Sequence, residues 1–495
     1  TPSWTTRFSR SSDKEGPMTR AKTVACVLLA LAAAGCAVNP VTGKQEFMLY
    51  SESQEIELGQ QTDVEVAATY GIYEDPVLAA YITRMGQALA AKGQRPGLPW
   101  RFTVLDSPVV NAFAVPGGSI YVTRGILALI GSEAELAAVL GHEIGHVNAR
   151  HSMSQMSKQQ VAQIGLALGS AASAEFAKYA GLAGTGVQVL FLKFSRDNEN
   201  QADGLGVDYA RAVGYNPAEM AVTFAALQKL GDLSGGGSSM PGFLSTHPLT
   251  ADRIAHVRDL LRTSDAALAR NPNDYLFKIE NLVYGEDPRQ GFVENGVFYH
   301  PTLRFQFAVP AGWTVENMPT QVQLVAADKN GGVILQAGQF SDTAEDYLKR
   351  QAAEITQSGG KALDENQTTV NGLACYEQAF SIPQKNADPV HMTLSCVKKG
   401  NWVYTFRALS AARGYANYEP DFRRVVTSFK ELTDATKIGR PPRRLVLIKG
   451  NGTDSLQSIL KKVGTPESSW RPLAILNGLE LTDVPAPGRL VKTVK

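Results

Sequence analysis

The feature that most constrains this chain is His142-Glu143-Ile144-Gly145-His146. It lies in a segment whose pattern argues for a helix. Ser132-Glu133-Ala134-Glu135 has the form of a capping box, and Leu136, Val139, Leu140, Ile144 and Val147 recur at helical spacing. Two histidines four residues apart then lie one turn above the other. Two imidazoles so placed reach one ion at about 2.0–2.1 Å each. Glu143 stands beside them among apolar neighbours, with no Lys or Arg within a turn. Burying a carboxylate unpaired is costly. A helix with two incidental histidines explains the spacing but not that carboxylate. The expectation is one zinc ion per chain, held by His142 and His146, with Glu143 as general base.

A catalytic zinc needs a third protein ligand and an open fourth position. His151 follows His146 by five residues, which turns it away from the pair, so it reads as structural. Ser195-Arg196-Asp197-Asn198-Glu199-Asn200-Gln201-Ala202-Asp203 is the better source. Glu199 and Asp203 are four apart on one helical face. Glu199 offers a ligand, and Asp203 can accept a hydrogen bond from a ligand imidazole and fix its tautomer. By spacing alone, a solvated acidic face explains the two carboxylates equally well.

At 495 residues, two to four domains are expected. The apolar share of 44% and charged share of 19% suit a globular protein, and a net charge of +1 gives no reason to expect nucleic acid. Residues 1–17 are polar and lack Met, so Met18 reads as the start. Arg20 and Lys22, the apolar run Thr23 to Ala34, and Ala33-Ala34-Gly35-Cys36 resemble a lipoprotein signal over 18–36, with Cys36 as the lipid site. Ala33 stands where Leu is commoner, so an ordinary cleaved signal is the alternative. Ala37 after the Cys resembles outer-membrane sorting, which implies the periplasmic face of that membrane. Cys375 and Cys396 then form a lone pair in an exported chain and read as a disulfide; two free buried thiols are the alternative.

The overall expectation is a multidomain α+β chain. Residues 37–265 are helix-rich, and 266–296 read as a winding connection. Residues 297–435 show short alternating runs and turn clusters, indicating a β-rich domain with one helix over Ala344–Ser358. The Ala- and Gly-rich stretch 161–191 reads as a buried helical hairpin. Residues 444–495 resemble a LysM domain, a βααβ peptidoglycan-binding fold, chiefly through Leu473-Ala474-Ile475-Leu476-Asn477-Gly478-Leu479.

The two charged motifs together, His142-Glu143-x-x-His146 and Ser195-Arg196-x-x-Glu199-x-x-Ala202-Asp203, resemble the CAAX prenyl protease-type zinc metallopeptidases, and within them the periplasmic BepA-like branch. Asn39-Pro40-Val41-Thr42-Gly43, Ser51-Glu52-x-x-Glu55, Asn111-Ala112-Phe113-Ala114-Val115-Pro116-Gly117-Gly118, Tyr121-Val122-x-Arg124-Gly125 and Ser245-Thr246-His247-Pro248 with Arg253 match in order. The resemblance implies a zincin-type fold over 37–265, with zinc on His142, His146 and Glu199. It also implies that His247 either occupies the fourth zinc position and idles the enzyme or, with Arg253, stabilises the transition state. Residues Asn111, Ala112, Phe113 and Ala114 would form the strand that pairs with an extended substrate. The implied substrates are misfolded or stalled envelope proteins, with peptidoglycan or assembly machinery as further partners. Two alternatives are an assembly chaperone or scaffold with a regulatory zinc site, and a cell-wall hydrolase.

Overall fold

The computed structural model describes residues 36–169, 193–233, 235, 242–249, 251–384 and 387–495. The expected leader before Cys36 and most of the expected 161–191 hairpin lie outside the described residues. A hairpin of β1 (Cys36–Val38) and β2 (Gln45–Phe47) precedes α1 (Glu52–Tyr70) and α2 (Pro76–Ala90). Ser51 and Gln54 cap α1 reciprocally, and the Asp75 carboxylate caps α2 ahead of Pro76 at its first position. Strands β3 (Arg101–Leu105), β4 (Ala112–Val115) and β5 (Ser119–Thr123) form a sheet in the order β3-β5-β4, which leaves β4 at an edge. Helices α3 (Arg124–Leu129), α4 (Glu133–Asn148), α5 (His151–Gly169), α6 (Arg196–Ala212), α7 (Glu219–Leu233), α8 (Gly242–Thr246), α9 (Ala251–Asp259) and α10 (Pro272–Ile279) follow.

Helix α4 carries the histidine pair and is the centre of this body. Every residue from Ala134 to Asn148 is buried. A helix without a wet face needs neighbours all round, and α2, α6, α7 and β4 supply them. Ser132 accepts from the Glu135 N–H at 3.1 Å, which is half of the expected capping box; the Glu135 carboxylate instead takes the Gly131 N–H, also at 3.1 Å. Within the expected winding connection, α10 buries Tyr275, Leu276 and Ile279 in the same core as Leu140 and Ile144. Eight residues beside a proline are too short to display a helical period clearly.

The next region contains β6 (Phe292–Glu294), β7 (Val297–His300), β8 (Phe305–Ala308), β9 (Thr314–Met318), β10 (Gln321–Val325), β11 (Gly331–Gln339), α11 (Ala344–Gln357), β12 (Lys361–Val370), β13 (Leu373–Gln384), β14 (Ala387–Lys399), β15 (Trp402–Ala411), α12 (Tyr415–Thr427), β16 (Lys430–Glu431) and α13 (Ala435–Ile438). A seven-stranded antiparallel sheet runs β12-β13-β14-β15-β11-β10-β9, and a four-stranded one runs β16-β8-β7-β6. One core lies among the two sheets and α12, with Phe298, Phe307, Phe406 and Phe422. A smaller one lies under α11, with Leu348, Phe380 and Leu394.

The chain closes with β17 (Leu445–Lys449), α14 (Leu456–Val463), α15 (Trp470–Leu476) and β18 (Leu490–Val494), the two strands pairing antiparallel. Leu456, Leu460, Leu473 and Val491 join the core that contains α4. The segment before the β-rich region also pairs with this end: Asn281 N–H donates to Leu445 O and Leu445 N–H to Leu282 O, both at 2.9 Å.

The expected Cys375–Cys396 disulfide is absent; both thiols are free and buried. Strand register explains why. On β13 and β14, Cys375 stands opposite Val397 whereas Cys396 stands opposite Tyr376. Side chains alternate faces along a strand, so this one-residue offset sends the thiols to opposite sides of the sheet. Cys375 packs with Phe298 and Val397, Cys396 with Leu348 and Tyr376. Burial pushes both thiols up to about 12. Neither should react with a thiol reagent in the folded chain, and peptide mass mapping should find both labelled only after denaturation. A Cys375–Cys396 cross-link in the non-reduced digest would contradict this packing.

His300 on β7 adds a pH dependence. Its Nδ1 accepts from the Leu303 N–H at 3.2 Å, its ring lies 5.0 Å from that of Phe305, and burial lowers its pKa to about 4. The unfolded chain therefore takes the proton first as pH falls. The stabilising contribution is complete above about pH 6.5 and is lost between there and pH 4, on the order of 3 kcal/mol. Urea unfolding of the β-rich region should show this loss, and His300→Gln should flatten it; an equal slope in both chains would exclude the assignment.

Candidate metal centre

The centre is built where α4 and α6 nearly touch. Three glycines permit this approach. A Cβ on Gly141 would lie 3.1 Å from the Gly206 Cα, one on Gly145 would lie 3.1 Å from Ala202 O, and one on Gly206 would lie 2.9 Å from the His142 nitrogen. With Ser195 capping α6 through the Asn198 N–H, the first two turns of α6 face His142 and His146. The glycines at 141 and 145, spaced as the histidines are, were a signal of helix contact in the sequence that the ligand pattern overshadowed.

Four side chains converge, all buried. Ligand-type atoms of His142, His146, Glu199 and His247 lie within 4.8 Å of one another. His142 Nε2 is 3.0 Å from His146 Nε2 and 3.3 Å from His247 Nδ1. Glu199 lies 3.6 Å from His142 Nε2 through Oε2 and 3.5 Å from His146 Nε2 through Oε1. His247 Nδ1 is 3.0 Å from Glu199 Oε1. A neutral imidazole has one donor and one acceptor nitrogen, so three ring nitrogens pointed together cannot all be satisfied by one another's protons. The donor set, three imidazoles and a carboxylate, suits zinc. Glu143 Oε1 is buried without a hydrogen-bond partner among the described residues, with His247 Nε2 at 3.7 Å. An orphaned carboxylate oxygen beside a convergent donor set fits a metal centre with a water to be activated.

A second layer holds these donors in place. His142 Nδ1 is 2.8 Å from Asp203 Oδ1, in a direction short of an ideal hydrogen bond. His146 Nδ1 is 2.9 Å from His151 Nδ1, and His151 Nε2 is 2.8 Å from Gln201 Oε1. The five-residue offset therefore makes His151 the neighbour of His146's far nitrogen. Arg253 places Nε and Nη2 on Asp203 at 2.8 and 2.7 Å and Nη1 on Glu199 at 2.7 Å, with its guanidinium 4.7 Å from the Phe224 ring centre. Phe243 stacks on His247 at 4.7 Å and Phe194 lies tilted against His146 at 4.2 Å; neither aromatic carries a signal in the motif. Of the predicted Asn111–Ala114 segment, Ala112, Phe113 and Ala114 lie in edge strand β4 and Asn111 just precedes it; the His247 segment is docked beside it, with the Phe243 N–H donating to Val110 O at 3.1 Å.

The charges reflect this packing. Burial is the largest influence on Glu199 and Asp203 and pushes both up. It is outweighed by His247, His142 and Arg253 at Glu199, and by Arg253 and His142 at Asp203, so both stay below the usual carboxylate range. Burial lowers His146 well below its ordinary value and His151 to about 4. His146 and His151 are thus inclined toward the neutral form, the form in which an imidazole ligates a metal.

The C-terminal end of α4 is anchored by the sequence motifs near the N-terminus. Asn39 Nδ2 donates to Ala149 O at 3.3 Å. Glu55 pairs with Arg95 at 2.9 Å and with Arg150 at 2.8 Å, and Arg95 also donates to Val147 O at 2.9 Å. Asp203→Asn would remove one charge from this layer while keeping its shape. It should weaken zinc binding about 10–100-fold in a chelator competition, and unchanged affinity would remove Asp203 from the support of His142.

Comparison with known proteins agrees with this geometry. The Peptidase family M48 profile matches residues 76–261, and the PsbP profile matches 297–431. The beta-barrel assembly-enhancing protease of Yersinia pestis is 32% identical over 259 residues, covering 50% of this chain and 52% of that protein. Its counterpart in Escherichia coli (strain K12) is 30% identical over 253 residues, covering 49% and 51%. The metalloprotease LoiP of Escherichia coli (strain K12) is 31% identical over 229 residues, covering 44% of this chain and 85% of that protein. The chain thus spans about half the length of the beta-barrel assembly-enhancing proteases and most of LoiP. With four side chains that could hold a metal ion gathered inside the matched segment, this chain belongs to peptidase family M48.

Proposed function

We propose that the chain is a zinc-dependent endopeptidase of the bacterial cell envelope that cleaves misfolded or stalled envelope proteins. The observation that carries the reading is the pairing of the four-donor cluster with the partnerless oxygen of Glu143. The likeness to beta-barrel assembly-enhancing proteases, over about half of their length, supports a setting in which barrel proteins are assembled.

In this reading His142, His146 and Glu199 hold the ion, which when bound supplies a Lewis acid for the water and the scissile carbonyl. Glu143 takes the proton from the attacking water and passes it to the leaving amine. Edge strand β4, which Asn111 leads into and which contains Ala112, Phe113 and Ala114, would pair with an extended chain through its backbone, a mode of recognition suited to unfolded clients. Arg253 has its guanidinium turned to Asp203 and Glu199, which favours positioning of the ligands over contact with substrate. His247 is buried among the other three donors, and its segment is bonded to Val110 at the head of β4. Both features favour the reading in which His247 holds the fourth position and keeps the centre shut.

The same proposal includes a lipid at Cys36 that places the enzyme at the periplasmic face of the outer membrane. It also includes a LysM-like character for the terminal βααβ unit, and a zincin-type fold for the body that carries the centre. Among the described residues, no helix is long and apolar enough to cross a membrane.

Casein digestion with zinc content measured in parallel tests the chemistry. Glu143→Gln should lower kcat by about 10²–10⁴ with zinc retained; full activity in that variant would end the general-base assignment. His247→Ala should raise cleavage if the residue is a gate. Loss of cleavage with zinc still bound would instead assign it to the transition state.

A further inference from the structure

The N-terminal end of α4 is held by a residue that no motif of the centre includes. Lys492 on β18 is among the largest fully buried side chains of the chain. Its Nζ lies 2.9 Å from Ala128 O, 3.0 Å from Leu129 O and 2.9 Å from Ile130 O. These are the last carbonyls of α3 and the turn that leads into α4. A lysine ammonium has three N–H donors and no acceptor, so three carbonyls at these distances use the whole group in its charged form. The carboxylate that feels this group is on α4 itself. Glu135 is buried and accepts from the Gly131 N–H at 3.1 Å and the Thr223 hydroxyl at 3.2 Å. Burial pushes the Glu135 carboxyl up to about 7 and the Lys492 ammonium down to about 7, and each group partly offsets the shift of the other. A cation at a helix C-terminus is also favoured by the dipole of the helix.

The terminal unit holds Lys492 in position. Asn477 Oδ1 accepts from the Lys492 N–H at 2.8 Å, and Asn477 Nδ2 donates to Lys492 O at 2.9 Å and Leu473 O at 2.8 Å. The Asn of the Leu-Asn-Gly element therefore locks the strand residue whose side chain reaches into the peptidase body. Around it, Leu456, Leu460, Leu473 and Val491 share one core with Leu136 and Leu140 of α4, and α15 packs on α3 and α7.

We propose that Lys492 is a positioning residue for the metal helix, and that the terminal βααβ unit is an integral clamp of the metal-binding body rather than an appended module. The clamp fixes the α3–α4 turn, which sets where α4 begins and so where His142 and His146 sit against α6. The proposal rests on the zinc reading above, and its test separates the two. If zinc binding is wrong, wild type holds no zinc. If the clamp is wrong, wild type holds zinc and the variants behave as wild type does.

The variants are Lys492→Met, Glu135→Gln, and Ile459→Ala in the full chain. Ile459 is buried in the same terminal unit and serves as a control that destabilises without touching the lock. Hydrogen exchange on metal-free protein reads the 124–148 segment directly, and zinc release to a chelator reads the centre. Lys492→Met is expected to raise exchange across 124–148 and to speed zinc release by about tenfold or more. Glu135→Gln, a near-isosteric change, should do both to a smaller extent and keeps the proposal testable if Lys492→Met does not fold. Ile459→Ala should loosen the terminal unit alone. The proposal is overturned if Lys492→Met and Glu135→Gln match wild type in both readouts, or if Ile459→Ala reproduces their pattern over 124–148.

Discussion

The approach of α4 to α6 is the constraint on which the rest depends. Two of the candidate metal donors come from one helix and a third from another, with nothing covalent to fix their spacing. A functional constellation needs placement to about 0.5 Å, and helix axes usually sit 8–10 Å apart depending on the side chains between them. Gly141, Gly145 and Gly206 remove those side chains at the crossing. The backbone contact then sets the distance, which makes it much less deformable than a contact through rotatable side chains.

Such a crossing is accurate only if the helix cannot slide along or tilt, and the surrounding charges supply that. Asn39, Glu55, Arg95 and Arg150 hold the last turn of α4, and Asp203 and Arg253 brace α6 against α9. Each is buried, and replacing a buried ion pair by apolar groups is often neutral or stabilising. Their contribution here is direction. An arginine fork bound to two carboxylate oxygens tolerates little rotation, whereas an apolar contact of the same area tolerates much.

Much of the centre was legible because its residues are charged and locally spaced. His142 with His146, and Glu199 with Asp203, are i,i+4 pairs, and a helix period alone brings the members of each pair together. The partners that are distant or apolar were less legible. Phe194 and Phe243 pack against the histidines without a pattern of their own, and Arg253 faces inward to the carboxylates, which spacing cannot tell from facing a substrate. The cysteines show the same limit at the level of a sheet. Their count suggested a bond, but a one-residue register offset placed them on opposite faces, and register depends on long-range pairing. The terminal unit read as separate because its sequence resembles a free-standing module, while the residue that joins it to the core is a lysine, a type rarely buried.

The lysine contact has a consequence for the order in which the molecule can be completed. Lys492 and Ala128 are 364 residues apart, and the entire β-rich region lies in the loop between them. Contacts of such separation form late, because loop closure must precede their reward. During synthesis, the turn before α4 stays uncapped until residue 492 has emerged. The start of the helix that bears His142 and His146 is therefore among the last parts of the fold to be fixed.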